Sequence, residues 1–150
     1  IKAIGLKNTS VHVELIREES GWKIIEMGPR VGGFRHMMYE QSNGINHTMN
    51  DVLNRIGKKP IIPKKRRGYA VAMKFFAKKE GRLSKLTGIK KLQELKSFKR
   101  LYTNKKIGDM CRFAKHGGGS VFNIIMCNPD RSKLLADIRR LEQMVVIEVE

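Results

Sequence analysis

The residues best suited to chemistry are two glutamates, Glu14 and Glu26, and an arginine, Arg30, four positions after the second. Each glutamate lies in a short run of strand-like composition, and the turn sequence Glu-Glu-Ser-Gly at 18–21 separates the two runs. The strands of an antiparallel hairpin lie about 5 Å apart, so carboxylates from both can meet on one face. Carboxylate and phosphate oxygens are ligands that Mg²⁺ prefers. The spacing therefore predicts a binding site for a magnesium-bound phosphate.

Two strands, over residues 11–16 and 22–27, are needed to position these groups. Alternation along the first strand puts His12, Glu14 and Ile16 on one face. His12 is therefore a candidate for the same site, with a purely structural histidine as the alternative.

The loop after the second strand has the composition of a phosphate-binding segment. Pro29 has no backbone N–H and should end the strand pairing. Gly32 and Gly33 allow the backbone to turn and to bring its amides close to a ligand. The guanidinium of Arg30 could stabilise a phosphoryl group in transfer. The alternative interpretation is an ordinary hairpin with a solvent-facing arginine and solvent-facing glutamates.

A domain boundary is predicted near residues 58–67, where the sequence Lys-Lys-Pro-Ile-Ile-Pro-Lys-Lys-Arg-Arg reads as an extended linker. We therefore expect one unit over 1–58 and a second over 59–150. Before the boundary, an apolar stripe at helical spacing predicts a helix over 47–56. Its members are Met49, Val52, Leu53 and Ile56.

The second half reads as a small α+β unit. The predicted strands are 69–79, with 83–86 pairing back on it as a hairpin, then 98–102, 121–127 and 145–149. A short helix is predicted around 89–95 and a glycine turn at 117–119. Asp130 or Asn128 should cap a longer helix, with the stripe Leu134, Leu135, Ile138 and Leu141.

The net charge of +17 is concentrated in the middle of the chain. Residues 58–106 hold 18 Lys and Arg against 2 Asp and Glu, a net charge of +16. Such a block can bind a polyanion, or it can be a solvated face.

Cys111 and Cys127 fit no metal-ligand spacing and are expected to be reduced thiols. No apolar run approaches the roughly 20 residues of a membrane helix. Because the sequence does not begin with Met, we expect it to start inside a larger protein.

Residues 5–33 resemble the C-terminal metal-binding hairpin of ATP-grasp ligases. The family pattern is a strand with His-x-Glu, then a strand with Ile-Glu-x-Asn-x-Arg and a Gly-rich loop. The corresponding segments of this chain are Val-His-Val-Glu-Leu and Ile-Ile-Glu-Met-Gly-Pro-Arg-Val-Gly-Gly. The family's Asn is Gly28 in this chain. The amino-acid ligase branch, which tolerates a small residue there, is more similar than biotin carboxylase or carbamoyl-phosphate synthase.

The resemblance implies an α+β fold: the C-terminal part of an ATP-grasp domain, with an antiparallel metal-binding hairpin plus helix, followed by a small α+β C-terminal domain. It implies that Glu14 and Glu26 hold Mg²⁺, with Mn²⁺ as an alternative, and that Arg30 is catalytic. Arg30, Gly32, Gly33 and His12 would contact ATP.

The implied enzyme is an ADP-forming, C–N bond-forming ligase of the cytoplasm. It would activate a small carboxylate, such as an amino acid, as an acyl phosphate and couple it to an amine. The family binds adenine through a lysine-bearing segment N-terminal to this hairpin, so residues 1–150 alone are expected to be inactive. No membrane or nucleic acid partner is expected, and a homodimer is left open.

The rival hypothesis is a basic nucleic-acid-binding α+β module centred on 58–106. Four aromatic residues interleave with its lysines, as base stacking requires. They are Phe75, Phe76, Phe98 and Tyr102.

Overall fold

The computed structural model describes residues 2–113 and 119–150. The chain divides between Arg66 and Arg67 into two compact units, called here the hairpin unit and the C-terminal unit. The glycine turn predicted at 117–119 lies outside the described residues except for Gly119. The described helices include none that is long and apolar enough to cross a membrane.

The hairpin unit, residues 1–66, carries the candidate site. Its elements are a single 3-10 turn (Lys2–Ile4), strands β1 (His12–Glu18) and β2 (Gly21–Gly28), and helices α1 (Arg35–Asn43) and α2 (His47–Arg55). The strands pair antiparallel, and Gly21 at the turn takes a φ of +118°, which favours glycine. β2 ends at Gly28, directly before Pro29, as the missing N–H of proline predicts.

A tight turn joins the two helices of the hairpin unit. Gly44 ends α1 in the left-handed conformation, with φ of 70°, and donates its N–H to the Glu40 carbonyl oxygen at 2.9 Å. Asn46 then caps α2, because its Oδ1 accepts the Met49 N–H at 2.9 Å. Only two residues, Gly44 and Ile45, separate the end of α1 from this cap, so the helices lie close together. The apolar stripe predicted α2, which ends at Arg55, one residue before the predicted end.

A carboxylate on α2 holds the segment that leads into β1. Asp51 accepts the Ser10 N–H at 3.0 Å through Oδ1 and the Arg55 Nε–H at 2.9 Å through Oδ2. The hydrogen bond from Arg55 and those from Ser10 lower the pKa of Asp51 from 3.8 to about 2. The contact fixes the start of β1, where His12 lies, relative to α2.

Replacing Asp51 by asparagine should make the free energy of unfolding depend less on pH at acid pH. The pKa of Asp51 is depressed in the folded state, so its stabilising effect is present above about 3.8 and is lost as the pH falls towards 2. Asp51→Asn should cost about 1 kcal/mol at pH 6 and little at pH 2. Thermal unfolding between pH 2 and pH 6 measures this, with Glu40→Gln on α1 as the control for one lost carboxylate. Parallel curves for Asp51→Asn and wild type would contradict the assignment.

The predicted linker has no regular secondary structure, but it is attached to α2. The buried Asn50 side chain donates to the Ile61 carbonyl oxygen and accepts the Ile61 N–H, both at 2.9 Å. The Asn50 side chain therefore pairs with the backbone N–H and carbonyl of Ile61, as a neighbouring β-strand would. The extended segment therefore has a fixed starting point on the hairpin unit.

The C-terminal unit, residues 67–150, consists of short antiparallel strands and two helices. Its elements are β3 (Tyr69–Phe75), β4 (Gly81–Thr87), α3 (Ile89–Gln93), β5 (Phe98–Thr103), β6 (Met110–Cys111), β7 (Phe122–Asn128), α4 (Arg131–Met144) and β8 (Val146–Val149). They form two three-stranded sheets, ordered β3-β7-β5 and β6-β4-β8. Every residue of the central strand β7 is buried, which explains why its apolar residues, Phe122 and 124–127, do not alternate with exposed polar ones.

The core of this unit follows the predicted apolar pattern with two exceptions. Phe75 stacks on Phe122, with ring centroids 4.5 Å apart, and β3 ends there, so Phe76 is 38% exposed. The predicted strand to residue 79 was therefore too long. Asp130 caps α4 as predicted, through the Ser132 and Lys133 N–H groups. Leu134 and Leu141 are buried, whereas Leu135 is 36% exposed and lies at the margin of the stripe.

A buried polar network fastens α4 to the start of β5. Asp137, only 5% exposed, accepts hydrogen bonds from the N–H of Ser97 at 3.1 Å and from its hydroxyl at 2.7 Å. Its other oxygen accepts from Arg140 at 3.0 Å, and the Asn128 amide donates to the Ser97 hydroxyl at 2.9 Å. The hydrogen bonds of this buried carboxylate are made within the protein, and they fix one register of α4 on the sheet.

Candidate functional site

The two candidate metal ligands are direct partners in the β1–β2 register. Glu14 pairs with Glu26, and the register shifts immediately after Glu14, between Glu14 and Leu15. Directly opposed residues of an antiparallel pair project from the same face of the hairpin. Both side chains are about half exposed, at 48% and 59%. The hairpin therefore presents two carboxylates together to an approaching ligand, and the irregularity at Glu14 is typical of strands beside functional sites.

Arg30 lies next to this pair. Its Nη2 is 3.7 Å from Oε1 of Glu26, and its N–H donates to the Gly28 carbonyl oxygen at 2.8 Å, which closes the turn at Pro29. The Arg30 side chain also lies along Gly28: a Cβ added there would be 3.5 Å from Nε of Arg30. This distance is an ordinary van der Waals contact, so a side chain at position 28 would pack against the Arg30 guanidinium.

His12 connects the carboxylates to the glycine loop. Its Nε2 is 3.9 Å from Oε1 of Glu14, and its ring lies directly on Gly32. A Cβ at Gly32 would be only 2.4 Å from Cδ2 of His12, so no side chain fits there while the ring keeps its position. The Nδ1 atom of His12 is buried and has no hydrogen-bond partner.

The glycine loop presents unused backbone donors. Among the hydrogen bonds of the described residues, none is donated by the N–H of Gly32 or Gly33. The loop is held instead through its carbonyl oxygens: that of Gly32 accepts the Arg35 N–H at 3.0 Å, and that of Gly33 lies 2.9 Å from Nδ1 of His36. His36 therefore supports the loop from outside. Amides left free beside an arginine are suited to binding an anion.

A cavity of about 340 Å³ opens beside the loop. Its lining residues come from the start of β1, the loop and both helices of the hairpin unit. They are Ser10, Val11, His12, Val13, Arg30, Val31, Gly32, Arg35, Tyr39 and His47. The rings of Tyr39 and His47 stack with centroids 4.8 Å apart and an interplanar angle of 22°.

The donor set suits a hard cation that shares its shell with a ligand. Within residues 2–113 and 119–150 there is no cluster of three or more His, Cys, Asp or Glu that could hold a metal ion. The two exposed carboxylates would therefore supply only some of the ligands of a metal ion. Mg²⁺ is commonly bound through one or two carboxylates, with waters and substrate phosphates completing its octahedron. Glu14 and Glu26 fit that mode and do not fit a closed structural site.

Sequence reasoning found the hairpin residues and missed most of the cavity wall. Tyr39 and His47 gave no site signal, because their contact depends on the two-residue connection between α1 and α2. The Asn46 cap and the Gly44 turn signal were visible in the sequence. Together they could have indicated that the two rings lie on neighbouring helices.

Comparison with solved structures identifies the fold. The L-amino acid ligase from Bacillus licheniformis superimposes with a TM-score of 0.76 and 21% identity, covering 93% of this chain and 36% of that one. Phosphoribosylglycinamide synthetase from Anaerococcus prevotii gives 0.79 and 20%, covering 100% and 39%. The biotin carboxylase domain of Hydrogenobacter thermophilus 2-oxoglutarate carboxylase, solved with MgADP, gives 0.62 and 14%, covering 93% and 32%. This chain therefore spans less than half the length of each of these structures.

The mixed α+β architecture with antiparallel sheets matches the C-terminal part of ATP-grasp ligases, as the hairpin motif predicted. Residues 74–150, more than half of the chain, match the family model of the L-amino acid ligase C-terminal domain 2. The chain belongs to this family. A comparison with curated protein sequences gives no match.

Proposed function

We propose that the chain is the C-terminal part of an ATP-dependent carboxylate–amine ligase. Residues 1–58 would complete the ATP-grasp domain, and residues 59–150 would form the small C-terminal domain. The single observation that carries the proposal is the register pairing of Glu14 with Glu26 beside Arg30, in a chain whose remainder matches a ligase domain. Cys111 and Cys127 are buried thiols, which is consistent with a reducing, cytoplasmic location.

The reaction proposed has two steps. A carboxylate oxygen attacks the γ-phosphorus of ATP, which releases ADP and leaves an acyl phosphate. An amine then attacks the acyl carbon, phosphate leaves with the original carboxylate oxygen, and the amine nitrogen loses a proton as the amide forms. Arg30 would steady the phosphoryl group in transfer, and the free amides of Gly32 and Gly33 would hold its oxygens. His12 would keep the loop in place against Glu14.

Glu14 and Glu26 would hold Mg²⁺, with Mn²⁺ as a substitute of the same ligand preference. The ion would supply charge neutralisation at the nucleotide phosphates. Both carboxylates are about half exposed on one face of the hairpin, so a ligand can approach them. Their side chains need no rearrangement of the backbone to act together, because the register already aligns them.

The exposed surface of the hairpin unit agrees with this assignment. Large apolar side chains on β1 and β2 are 38–67% exposed, which is unusual for a stable surface. They are Val13, Leu15, Ile16, Trp22, Ile24 and Ile25. We infer that the nucleotide-binding part of the complete ligase covers them.

The nucleic-acid rival is less favoured. Base stacking needs aromatic faces that are free, and Phe75 is stacked on Phe122 in the core. Phe98 also packs against a buried cluster of the C-terminal unit. Two of the four aromatic residues that suggested a nucleic-acid surface are therefore used in folding.

The test is an isotope transfer in the complete ligase. With a carboxylate substrate labelled with ¹⁸O, one labelled oxygen should appear in the phosphate released, with one ADP and one amide formed per turnover. Release of AMP and pyrophosphate, or phosphate without label, would contradict the acyl-phosphate route. Residues 1–150 alone should form no ADP above background, and turnover by this chain would show that it is not dependent on an upstream part.

A further inference from the structure

The C-terminal unit has a cavity of its own, of about 310 Å³, between α4 and the turn that leads from α3 to β5. Its lining residues are Glu94, Leu95, Lys96, Asn128, Lys133, Ala136, Asp137 and Arg140. Those from α4 recur at intervals of three and four positions, so they share one face of the helix. Because Ala136 has only a methyl group, this face leaves space beside the turn.

The buried polar residues of this cavity are held within the protein. Asp137 is 5% exposed, and one of its oxygens accepts both the N–H and the hydroxyl of Ser97. Asn128 donates to the same hydroxyl at 2.9 Å and accepts the Asp130 N–H at 3.0 Å. Networks with all their hydrogen bonds made are rigid. The cavity therefore has a fixed base.

Asp137 also orders an exposed cation. Its Oδ1 accepts a hydrogen bond from Nη1 of Arg140 at 3.0 Å, whereas the Arg140 side chain is 62% exposed. A guanidinium has five N–H donors, and within the described chain this is the only hydrogen bond that the Arg140 side chain donates. The other donors are free for a ligand. An ordered guanidinium with free donors suits a phosphoryl group, whose oxygens it can bind in pairs.

Two lysines add positive charge at the same cavity. Lys96 comes from the turn before β5, and Lys133 comes from the first turn of α4. Among the ion pairs of the described residues, none involves Lys96, and Lys133 has only a contact of 4.0 Å with Asp130. Both ammonium groups can therefore turn towards a bound anion. Together with Arg140 they supply three cations from two elements.

The remaining lining residues indicate what the anion is attached to. Glu94 is exposed, and its carboxylate can accept hydrogen bonds from hydroxyl groups but repels a second anionic group. Leu95 and Ala136 add apolar surface. A volume of about 310 Å³ is at the small end of the range for ligand sites and leaves room for a few atoms beside a phosphoryl group. The lining therefore suits one phosphoryl group on a small hydroxylated molecule.

We infer that this cavity binds a phosphate monoester of a small polyol. Arg140, Lys133 and Lys96 bind the phosphoryl oxygens, and Glu94 accepts hydrogen bonds from the hydroxyl groups. The inference goes beyond the proposed function and uses no residue of the hairpin unit. Either can therefore fail without the other.

Binding can be tested on residues 1–150 without nucleotide or Mg²⁺. The Nε–H resonance of Arg140 and the methyl resonance of Ala136 are followed by NMR during titration with glycerol 3-phosphate. Inorganic phosphate, glycerol and acetate are titrated separately, because a chain of net charge +17 also attracts anions elsewhere on its surface. We expect glycerol 3-phosphate to shift both resonances in a saturable manner, at a concentration about tenfold lower than any of the other three.

Charge variants locate the phosphoryl group. Lys133→Gln should weaken the binding of glycerol 3-phosphate about tenfold, since it removes a charge-assisted contact. The Lys133 side chain is 73% exposed, so this change should leave the fold intact. Arg140→Gln should weaken binding at least as much. Arg139→Gln removes the same charge at the preceding position of α4, outside the cavity, and should leave the affinity unchanged.

A steric variant tests the cavity without changing any charge. Ala136→Leu places a larger side chain in the space that the ligand would occupy and should abolish binding, which is read from the Arg140 resonance. Thermal unfolding of the variant shows that it is folded.

A double-variant cycle tests whether Asp137 acts through Arg140. Asp137→Asn keeps the shape of the side chain and should weaken binding about threefold, because the guanidinium is held less firmly. In a chain that already carries Arg140→Gln, the same change should have no further effect on affinity. A purely structural role of Asp137 would give the same loss in both chains.

Four results would overturn the inference. They are the absence of saturable shifts with glycerol 3-phosphate, binding of phosphate or acetate at least as tight, equal affinity in Lys133→Gln and Arg139→Gln, and unchanged affinity in folded Ala136→Leu. Each is read from binding alone, so none depends on ADP formation by the complete ligase.

Discussion

Glutamine at position 14 or 26 should lower ADP formation by the complete ligase about 10²–10³-fold. Each substitution keeps the size of the side chain and removes one of the two charges that the hairpin presents together. A metal-bound phosphate depends on such charges for several kcal/mol of transition-state stabilisation, and about 3–4 kcal/mol corresponds to this loss. The concentration of MgCl₂ needed for half-maximal activity should rise in both variants. Initial rates of ADP release over a range of MgCl₂ concentrations measure both effects.

The matched control is Glu18→Gln, which changes the same residue type at the end of the same strand. Glu18 forms its ion pair with Lys23 near the turn and is not opposite either candidate ligand. It should keep the parental rate and the parental Mg²⁺ dependence. Equal rates in all three variants would remove the proposed metal site. Because all three side chains are about half exposed, thermal unfolding should show little difference in stability between them.

The hairpin was predictable because every signal it needs is local. Alternation, a Gly-containing turn and Pro29 fix the two strands within residues 12–28. The register set at the turn, where Glu18 pairs with Gly21, would by itself put Glu14 opposite Ile25. The register shift after Glu14, which was not predictable, leaves Ile25 unpaired and brings Glu26 opposite Glu14.

In the C-terminal unit, local sequence patterns predict the strands but not the order in which they pair. The strands themselves were recognisable, and the fully buried β7 contains the apolar run 124–127, as is typical of a central strand. The order β3-β7-β5 depends on contacts between residues more than fifty positions apart, such as Val71 and Met126. No periodicity in the sequence specifies which of several apolar strands will be neighbours. Only the folded structure shows that β7 pairs with β3 on one side and with β5 on the other.

The cavity beside the glycine loop was not predicted, for a related reason. Its chemical residues are ordinary in the sequence: an arginine that begins a helix, a tyrosine one turn later and a histidine after an asparagine cap. Each is consistent with a solvated helix surface, and only the turn between α1 and α2 makes a wall of them. A site assembled from three elements cannot be deduced from spacing within any one element.

Alanine at position 32 should lower ADP formation about 10²-fold in the complete ligase, and the loss should depend on His12. The added methyl group would lie 2.4 Å from Cδ2 of His12, whereas ordinary contacts begin at 3.4 Å. The loop or the imidazole must therefore move by about 1 Å, and a displacement of that size in a positioned site is sufficient for a loss of about 10²-fold. Gly33→Ala makes the same chemical change one residue later, where no atom lies within 4 Å, and should cost far less.

A double-variant cycle separates this steric effect from a general loss of glycine flexibility. His12→Ala removes the ring that occupies the space, so adding Gly32→Ala to it should lower the rate less than about threefold further. The two single losses would then be strongly non-additive, as expected for residues in direct contact. If Gly32→Ala lowers the rate of ADP formation by the same factor with and without the imidazole, the contact between His12 and the loop does not contribute to activity. Non-additivity would instead establish His12 as a positioning residue, which acts on the phosphate site by fixing the backbone of the glycine loop.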